Sequence, residues 1–534
     1  MLMTKRIKKY ISVLMLFVML LSCTTGCGKA QVDTIDDDYR VFYQIFVGSF
    51  SDSDGDGIGD IRGIINRMDY LNDGDMNSDD DLGVQGIWLS PIFASPSYHK
   101  YDVTSYYRID PDFGTEEDLA ELITLCHERN VKIILDFVPN HTSSSNIWFQ
   151  RFKLAHQNGD TDNEYYDFYS WATLDTRRTG CSYSKISGTD DYYECNFSTD
   201  MPELNYDNET VFNEMVDAAE YWLNLGVDGF RFDAIKYIYY GDTVRSADFW
   251  YKYMEALRGV KPDIYTVGEC WSADSETLQY ITSLNCFNFQ MSQAEGYIAN
   301  AAKGGNIAIY TNYIESYQDK VLAANENAMI IPFISNHDMD RSAGYLTLAS
   351  KRSMMGANLY ILCSGSPFIY YGEEIGLKGS RGSSNTDANR RLAMNWGDGD
   401  TVLDPTGATY EKKKQTNGTV KEQQENPDSQ LNYYKKLIKI RNKYPEIARG
   451  DYESIVTEST TFGGFKITYG DTVTYLFHNT ADNDKSFALA DIVGDDADNV
   501  TLGSYIGQGE VSIKDGTLNV GPLTSVILTT KSGK

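Results

Sequence analysis

Positive charge is what this chain is shortest of. Across 534 residues, 47 Lys and Arg face 76 Asp and Glu, a formal net charge of −29 at pH 7. A surface so acidic argues against a nucleic-acid partner, whose phosphates demand clustered cations. It says nothing against an uncharged ligand. Soft metal ligands are also scarce: there are eight Cys and six His, with no Cys-x-x-Cys pair and no His cluster, so nothing suggests a zinc centre. Long apolar runs are missing too. Only Ile11 to Leu21 stands out, and it is too short to span a bilayer as a stable helix. The length itself calls for two or three domains.

What precedes that run gives it a meaning. Lys5, Arg6, Lys8 and Lys9 followed by an apolar stretch form a signal-peptide pattern. Cys23 then follows Leu20-Leu21-Ser22, which resembles the cleavage box of bacterial lipoproteins; Cys27, after Gly26, is the alternative lipidation site. The expectation is a signal peptide over 1–22, a polar tether over 23–38, and a protein outside the cytoplasm. It would be held to the cell membrane by lipid alone and otherwise act as a monomer. In that compartment Cys181 and Cys195, in a polar loop-like stretch, have the chance to pair. Cys126, Cys286 and Cys363 sit among apolar residues and read as buried thiols. The 39 Tyr mostly fill core and strands, but a surplus at the surface suits a flat, hydroxylated ligand such as a sugar.

From Val41 onward, short apolar runs alternate with amphipathic stretches. Val41–Phe46, Gly86–Leu89, Val131–Leu135, Val227–Phe232, Ile264–Val267, Met329–Ile334 and Phe368–Tyr370 read as buried strands. Ile61 to Leu71, Leu119 to Cys126, Val211 to Leu225 and Phe249 to Leu257 carry helical spacing. Such repetition predicts an α/β fold, a closed (β/α)8 TIM barrel over 39–139 and 209–447. Residues 140–208 show little helical periodicity and are too many for one loop, so they predict an inserted domain on the third strand–helix connection. Beyond the helix Leu431 to Lys443, short alternating runs predict an antiparallel β-sandwich over 448–534.

Four of these strands end in acids: Asp136 after Ile133-Ile134-Leu135, Asp233 after Phe230-Arg231-Phe232, Glu269 after Val267-Gly268, and Asp338 after Ser335-Asn336-His337. A barrel gathers the C-terminal ends of its strands at one mouth, so the four acids would share a pocket. Paired carboxyl groups suit glycoside hydrolysis, where one protonates the leaving oxygen and the other attacks the anomeric carbon or activates water. Arg231 beside Asp233 favours the ionised form of that carboxylate.

The segments DFVPNH (136–141), GFRFDAIKY (229–237), GECW (268–271) and ISNHD (334–338) resemble the four signature regions of glycoside hydrolase family 13, the α-amylase family. MPELN (201–205), GIWLSP (86–91) and GSPFIYYGEEIG (365–376) resemble three more, in the same order. The resemblance implies Asp233 as nucleophile, Glu269 as acid/base and Asp338 as the carboxylate that fixes the sugar hydroxyls. It implies His141 and His337 as hydrogen-bonding partners of the cleaved glucose, and Arg231 as the residue that orients Asp233. Tyr101, Asp102 and Arg391 resemble the group that grips a terminal glucose in exo-acting members. Tyr237 departs from the His that many α-amylases carry there. Asp52, Asp54, Asp56 and Asp60, alternating with Gly and Ser, form a calcium-type loop to which Ile58 would add its carbonyl; Asn140 resembles a ligand of a second Ca2+. The substrate implied is an α-glucan, starch or maltooligosaccharide, cleaved at α-1,4 bonds. Ala234 favours that reading, and MPELN points towards the oligo-1,6-glucosidase and neopullulanase-like intermediate subgroup. An oligo-1,6-glucosidase or α-glucosidase is the alternative. A transglycosylase shares all three acids, and a non-catalytic glycan-binding lipoprotein would have been expected to lose them.

Overall fold

A computed structural model describes residues 37–347 and 351–530. The signal segment and both lipidation candidates, Cys23 and Cys27, lie outside the described residues.

Seven parallel strands form one curved sheet: β1 (Phe42–Ile45), β2 (Gly86–Leu89), β3 (Lys132–Phe137), β4 (Gly229–Phe232), β5 (Tyr265–Gly268), β6 (Asn285–Cys286) and β7 (Phe368–Tyr370). Their spatial order is β6-β5-β4-β3-β2-β1-β7. The gap between β6 and β7 is closed by the 331–333 segment. Ile331 bridges Phe287 and Phe333 bridges Phe368, both in parallel sense. The strand expected over Met329–Ile334 is therefore reduced to two isolated bridges. Pro332 sits between them, and a residue without an N–H cannot donate to a ladder.

These strands are apolar on both faces because both are covered. Inward residues fill the barrel with Phe42, Trp88, Ile134, Tyr265, Val267, Phe287, Phe333 and Phe368, a packed lumen rather than a pore. Close packing fixes Gly229, where a Cβ would lie 1.8 Å from the Tyr265 carbonyl oxygen. Outward residues pack against a sleeve of helices. Glu116–Glu128 begins with a Thr115–Asp118 capping box and buries Leu119, Leu122, Ile123 and Cys126. Glu209–Leu225, Thr243–Val260, Ile307–Ala324 and Gln430–Lys443 complete most of that layer. The expected Ile61-to-Leu71 helix is instead two, Ile61–Asn66 and Met68–Leu71, separated at Arg67.

The 140–208 insertion contains a three-stranded antiparallel sheet of Trp171–Thr173, Asp191–Glu194 and Tyr183–Lys185. It also contains a helix, Ile147–Asn158, in a stretch of little helical periodicity. Its buried face is Phe149, Phe152, Ala155 and His156, but Ile147 and Leu154 point to solvent and blur the period. Cys181 and Cys195 are free thiols. The ladder pairs Tyr183 with Glu194, so position 182 faces 195 and Cys181 falls on the opposite face.

The C-terminal region is a sandwich. A five-stranded antiparallel sheet (Asp451–Val456, Phe462–Tyr469, Thr472–Asn479, Thr524–Thr530, Val500–Gly507) packs on a three-stranded one (Lys485–Ala488, Thr517–Val520, Val511–Lys514). Phe462, Phe477, Leu518, Val526 and Leu528 are buried in its core.

Candidate active site

Parallel register brings the acids together. Asp136 on β3 pairs with Arg231 on β4, and Gly268 on β5 pairs with Phe232. The next residues continue the pattern: Asp233 N–H donates to Phe137 O at 3.0 Å and Glu269 N–H to Phe232 O at 2.9 Å. Alternation puts residues 136, 231, 233 and 269 on the lumen side at the mouth.

Arg231 organises the group. Its Nη1 lies 2.7 Å from Asp233 Oδ1 and 2.8 Å from Asp136 Oδ1, and its Nη2 lies 2.8 Å from Glu269 Oε2. The guanidinium is fully buried between Trp88 and Tyr101. Burial raises all three carboxyls, and Arg231 only partly offsets it: Asp233 rises to about 6, Glu269 to about 7 and Asp136 to about 7. Asp338 behaves oppositely. Burial would raise it, but His337 and Arg391 outweigh that and hold it well below the usual carboxylate range. Its contacts are Arg391 Nη2 at 2.8 Å and His337 Nε2 at 3.0 Å.

Above these acids opens a cleft of about 760 Å³, lined by Tyr98, Tyr101, His141, Asp233, Glu269 and Asp338, with Phe197 and Trp271 on one side and Arg381, Asp387, Arg390 and Arg391 on another. His141 Nε2 is buried and without a protein partner, and burial lowers its ring to about 3, so it is a neutral group open to a ligand hydroxyl. Phe197 and Trp271 are 46% and 41% exposed, so each offers an aromatic face to whatever enters the cleft. Ala234, just after Asp233, is left-handed at φ 50° and donates its N–H to Glu269 Oε2 at 3.2 Å.

Of the residues singled out from sequence, Tyr101, His141, Asp233, Glu269, Asp338 and Arg391 line this cleft. Arg231 and His337 lie beneath it. Asp102 does not reach it. Its carboxylate is taken by the hydroxyls of Ser95, at 2.8 Å, and Ser97, while Arg391 is engaged by Asp338, the His337 carbonyl and the Tyr98 hydroxyl. The two are therefore not a pair here. Tyr98, Phe197 and Arg381 were not legible as site residues. Trp271 closes the GECW segment and Arg390 stands next to Arg391, yet neither carries a sequence signal of its own.

The acidic loop lies apart from the cleft. Carboxylate oxygens of Asp52, Asp54 and Asp60 come within 4.8 Å of one another. Asp52 is held low: burial raises it, but the Thr401 hydroxyl and the N–H groups of Gly55, Gly57 and Asp54 outweigh that. Asp56 is outside the cluster, its Oδ1 accepting from Ile58 N–H at 2.7 Å. The donor set, all oxygen and anionic, fits a hard divalent cation. Asn140 Nδ2 contacts His141 Nδ1 at 3.3 Å, and among the described residues no acidic cluster of that kind surrounds it.

The sequence model for the α-amylase catalytic domain matches residues 44–450. The chain belongs to the α-amylase family. Among curated relatives, Alpha-amylase 3 of Dictyoglomus thermophilum is 35% identical over 453 residues, 82% of this chain and 84% of the relative. An oligo-1,6-glucosidase of Bacillus cereus is 30% identical over 80% of this chain and 88% of its own. Among solved structures, Eubacterium rectale Amy13B superposes with a TM-score of 0.86 at 33% identity, covering 94% of this chain and 97% of that one. An α-amylase from H. orenii gives 0.80 at 33% identity, covering 93% and 100%. The family fold is the TIM barrel with a C-terminal β domain, and the α-amylase and oligo-1,6-glucosidase relatives are glycoside hydrolases. Membership thus joins the strand-end acids to an enzymatic activity on glycosidic bonds.

Proposed function

We propose that this protein is an α-amylase that cleaves internal α-1,4 bonds of starch and maltooligosaccharides with retention of configuration. The observation that carries the reading is Arg231 bridging Asp233 and Glu269. Two carboxyls on one guanidinium are close together, as a retaining enzyme needs, with separations of roughly 5–5.5 Å. Their free oxygens also divide the roles. Arg231 takes Asp233 Oδ1, leaving Oδ2 to attack the anomeric carbon. Arg231 and the Ala234 N–H both donate to Glu269 Oε2, so the acid proton belongs on Oε1. Glu269 gives that proton to the leaving oxygen, then takes one back from the water that hydrolyses the glycosyl ester on Asp233. Asp338, charged at working pH, anchors hydroxyls of the reacting glucose, and His141 Nε2 accepts or donates one more hydrogen bond.

Preference for α-1,4 over α-1,6 rests on Ala234. Position 234 is left-handed, a conformation a β-branched residue adopts only at a cost. Internal cleavage rests on Asp102 and Arg391 being engaged by other partners, Ser95 and Ser97 in one case and Asp338 in the other, instead of by each other. Asp52, Asp54 and Asp60 would hold a calcium ion that rigidifies the loop after β1. The mature chain would begin at Cys23, or Cys27, carry lipid, and otherwise be a monomer.

The test is incubation with maltoheptaose and with isomaltotriose, followed by chromatography and by proton NMR of fresh digest. The expected result is mid-chain products from maltoheptaose, α-anomers first, and little action on isomaltotriose. Asp233→Asn should lower turnover roughly 1,000-fold or more while retaining glucan binding. Initial β-anomers, or a fully active Asp233→Asn protein, would overturn the assignment.

A further inference from the structure

Gln44 lies on β1, facing the lumen two residues beyond Phe42. It is 1% exposed. A buried primary amide inside a barrel must find partners, because an unsatisfied polar group there is costly. Its Nε2 lies 2.7 Å from His337 Nδ1.

The opposite face of the imidazole decides which nitrogen carries the proton. His337 Nε2 faces the Tyr101 hydroxyl at 2.6 Å and Asp338 Oδ2 at 3.0 Å. An ionised carboxylate can only accept. Tyr101 gives its own proton to Asp136 Oδ2 at 2.8 Å, so its oxygen also accepts from the ring. Nε2 therefore bears hydrogen. The other groups around the ring are the edge of Trp88, with centroids 5.8 Å apart, Arg391 on the His337 carbonyl, and Arg231 beyond Tyr101. Burial, with the two arginines, lowers the ring's affinity for a second proton more than Asp338 raises it. A neutral ring with hydrogen on Nε2 leaves Nδ1 bare, and Nδ1 needs a donor.

We propose that Gln44 is a positioning residue for glycosidic cleavage: its amide N–H fixes His337 in the Nε2-protonated tautomer and so presents that one hydrogen to Asp338 and the Tyr101 oxygen, which share it. Resting on the glycosidase reading for its role in turnover, the device holds the carboxylate that anchors the sugar. It also starts a chain of one polarity, Gln44 to His337 to Tyr101 to Asp136, which ends on the guanidinium shared by Asp233 and Glu269. None of these groups can turn round without leaving another unsatisfied.

The tautomer is read directly on the mature protein labelled with ¹⁵N-histidine. Six His give a sparse spectrum, and a His337→Gln variant assigns the ring. The wild type should show hydrogen on Nε2, a bare Nδ1, and no titration from pH 5 to 8. In Gln44→Glu the new carboxylate should draw a second proton onto Nδ1, giving an imidazolium that persists above pH 7. Gln44→Met, of similar volume without a donor, should lose roughly 10- to 100-fold in kcat on maltoheptaose with little change in KM. Hydrogen on Nδ1 in the wild type, or wild-type kcat and tautomer in Gln44→Met, would overturn the proposal. The tautomer is measured without substrate, so an enzyme inactive on every glucan would refute the glycosidase reading and leave this measurement standing.

Discussion

At the scale of single residues, the site is governed by one shortage: three carboxyls share one arginine. Burial raises Asp233 to about 6 and Glu269 to about 7, while Asp338 is pulled down by its own pair of partners. Turnover needs Asp233 ionised and Glu269 protonated. Activity should then fall on the acid side as Asp233 gains its proton and on the alkaline side as Glu269 loses its own, a bell centred between about 6 and 7. A profile of kcat/KM against pH that stayed flat from 5 to 9 would contradict these roles. Legibility at this scale was high for the acids, since Asp136 and Asp233 directly follow apolar runs, while Glu269 and Asp338 stand one and three residues beyond theirs. It failed for Asp102, because a sequence does not show that Ser95 and Ser97 will take its carboxylate first. It failed also for Phe197, whose place depends on how the insertion folds back over the mouth.

Among elements, the strands could be read because β2 to β5 are buried on both faces and bounded by polar turns. The 331–333 stave could not, since Pro332 interrupts its hydrogen bonding while leaving its apolar character intact. The loop from Asp52 to Asp60 is the element whose proposed metal site is open to a direct test. Asp52 leans on backbone amides and on the Thr401 hydroxyl, and Asp60 also caps the helix Ile61–Asn66 through Gly63 N–H. A divalent ion present at a hundredfold excess over its Kd would add about 2.7 kcal/mol to the folded state. Exhaustive EDTA treatment should lower the melting temperature by a few degrees, and calcium should restore it, with magnesium doing so less well. A melting curve indifferent to chelation, together with no calcium by elemental analysis, would remove the metal from the account.

For the whole molecule, the barrel, insertion and sandwich followed from the alternation of runs and its loss, whereas the helix Ile147–Asn158 was hidden by two apolar residues that face water. The proposed membrane address rests on Cys23 and its alternative Cys27. Cys→Ser at both positions should release activity to the medium or leave the precursor unprocessed, as followed by fractionation and intact mass. Membrane-bound, normally processed double mutant would mean a different anchor. Acyl chains contribute about 0.8 kcal/mol per buried methylene, so two or more would hold an acidic protein at a surface that otherwise gives it little to bind. The barrel, finally, is not equally strong all round. Its closing stave offers only two bridges, where β2 and β3 share a ladder of four partners. A cylinder closed by so narrow a seam has a preferred place to breathe, and amide protons at Asn288 and Phe368, which span that seam, should exchange with solvent sooner than those of β3. The seam runs directly into the loop of His337 and Asp338, so the enzyme's softest joint adjoins the side chains that must hold the sugar most rigidly, and bound glucan should protect those amides more than any others in the barrel.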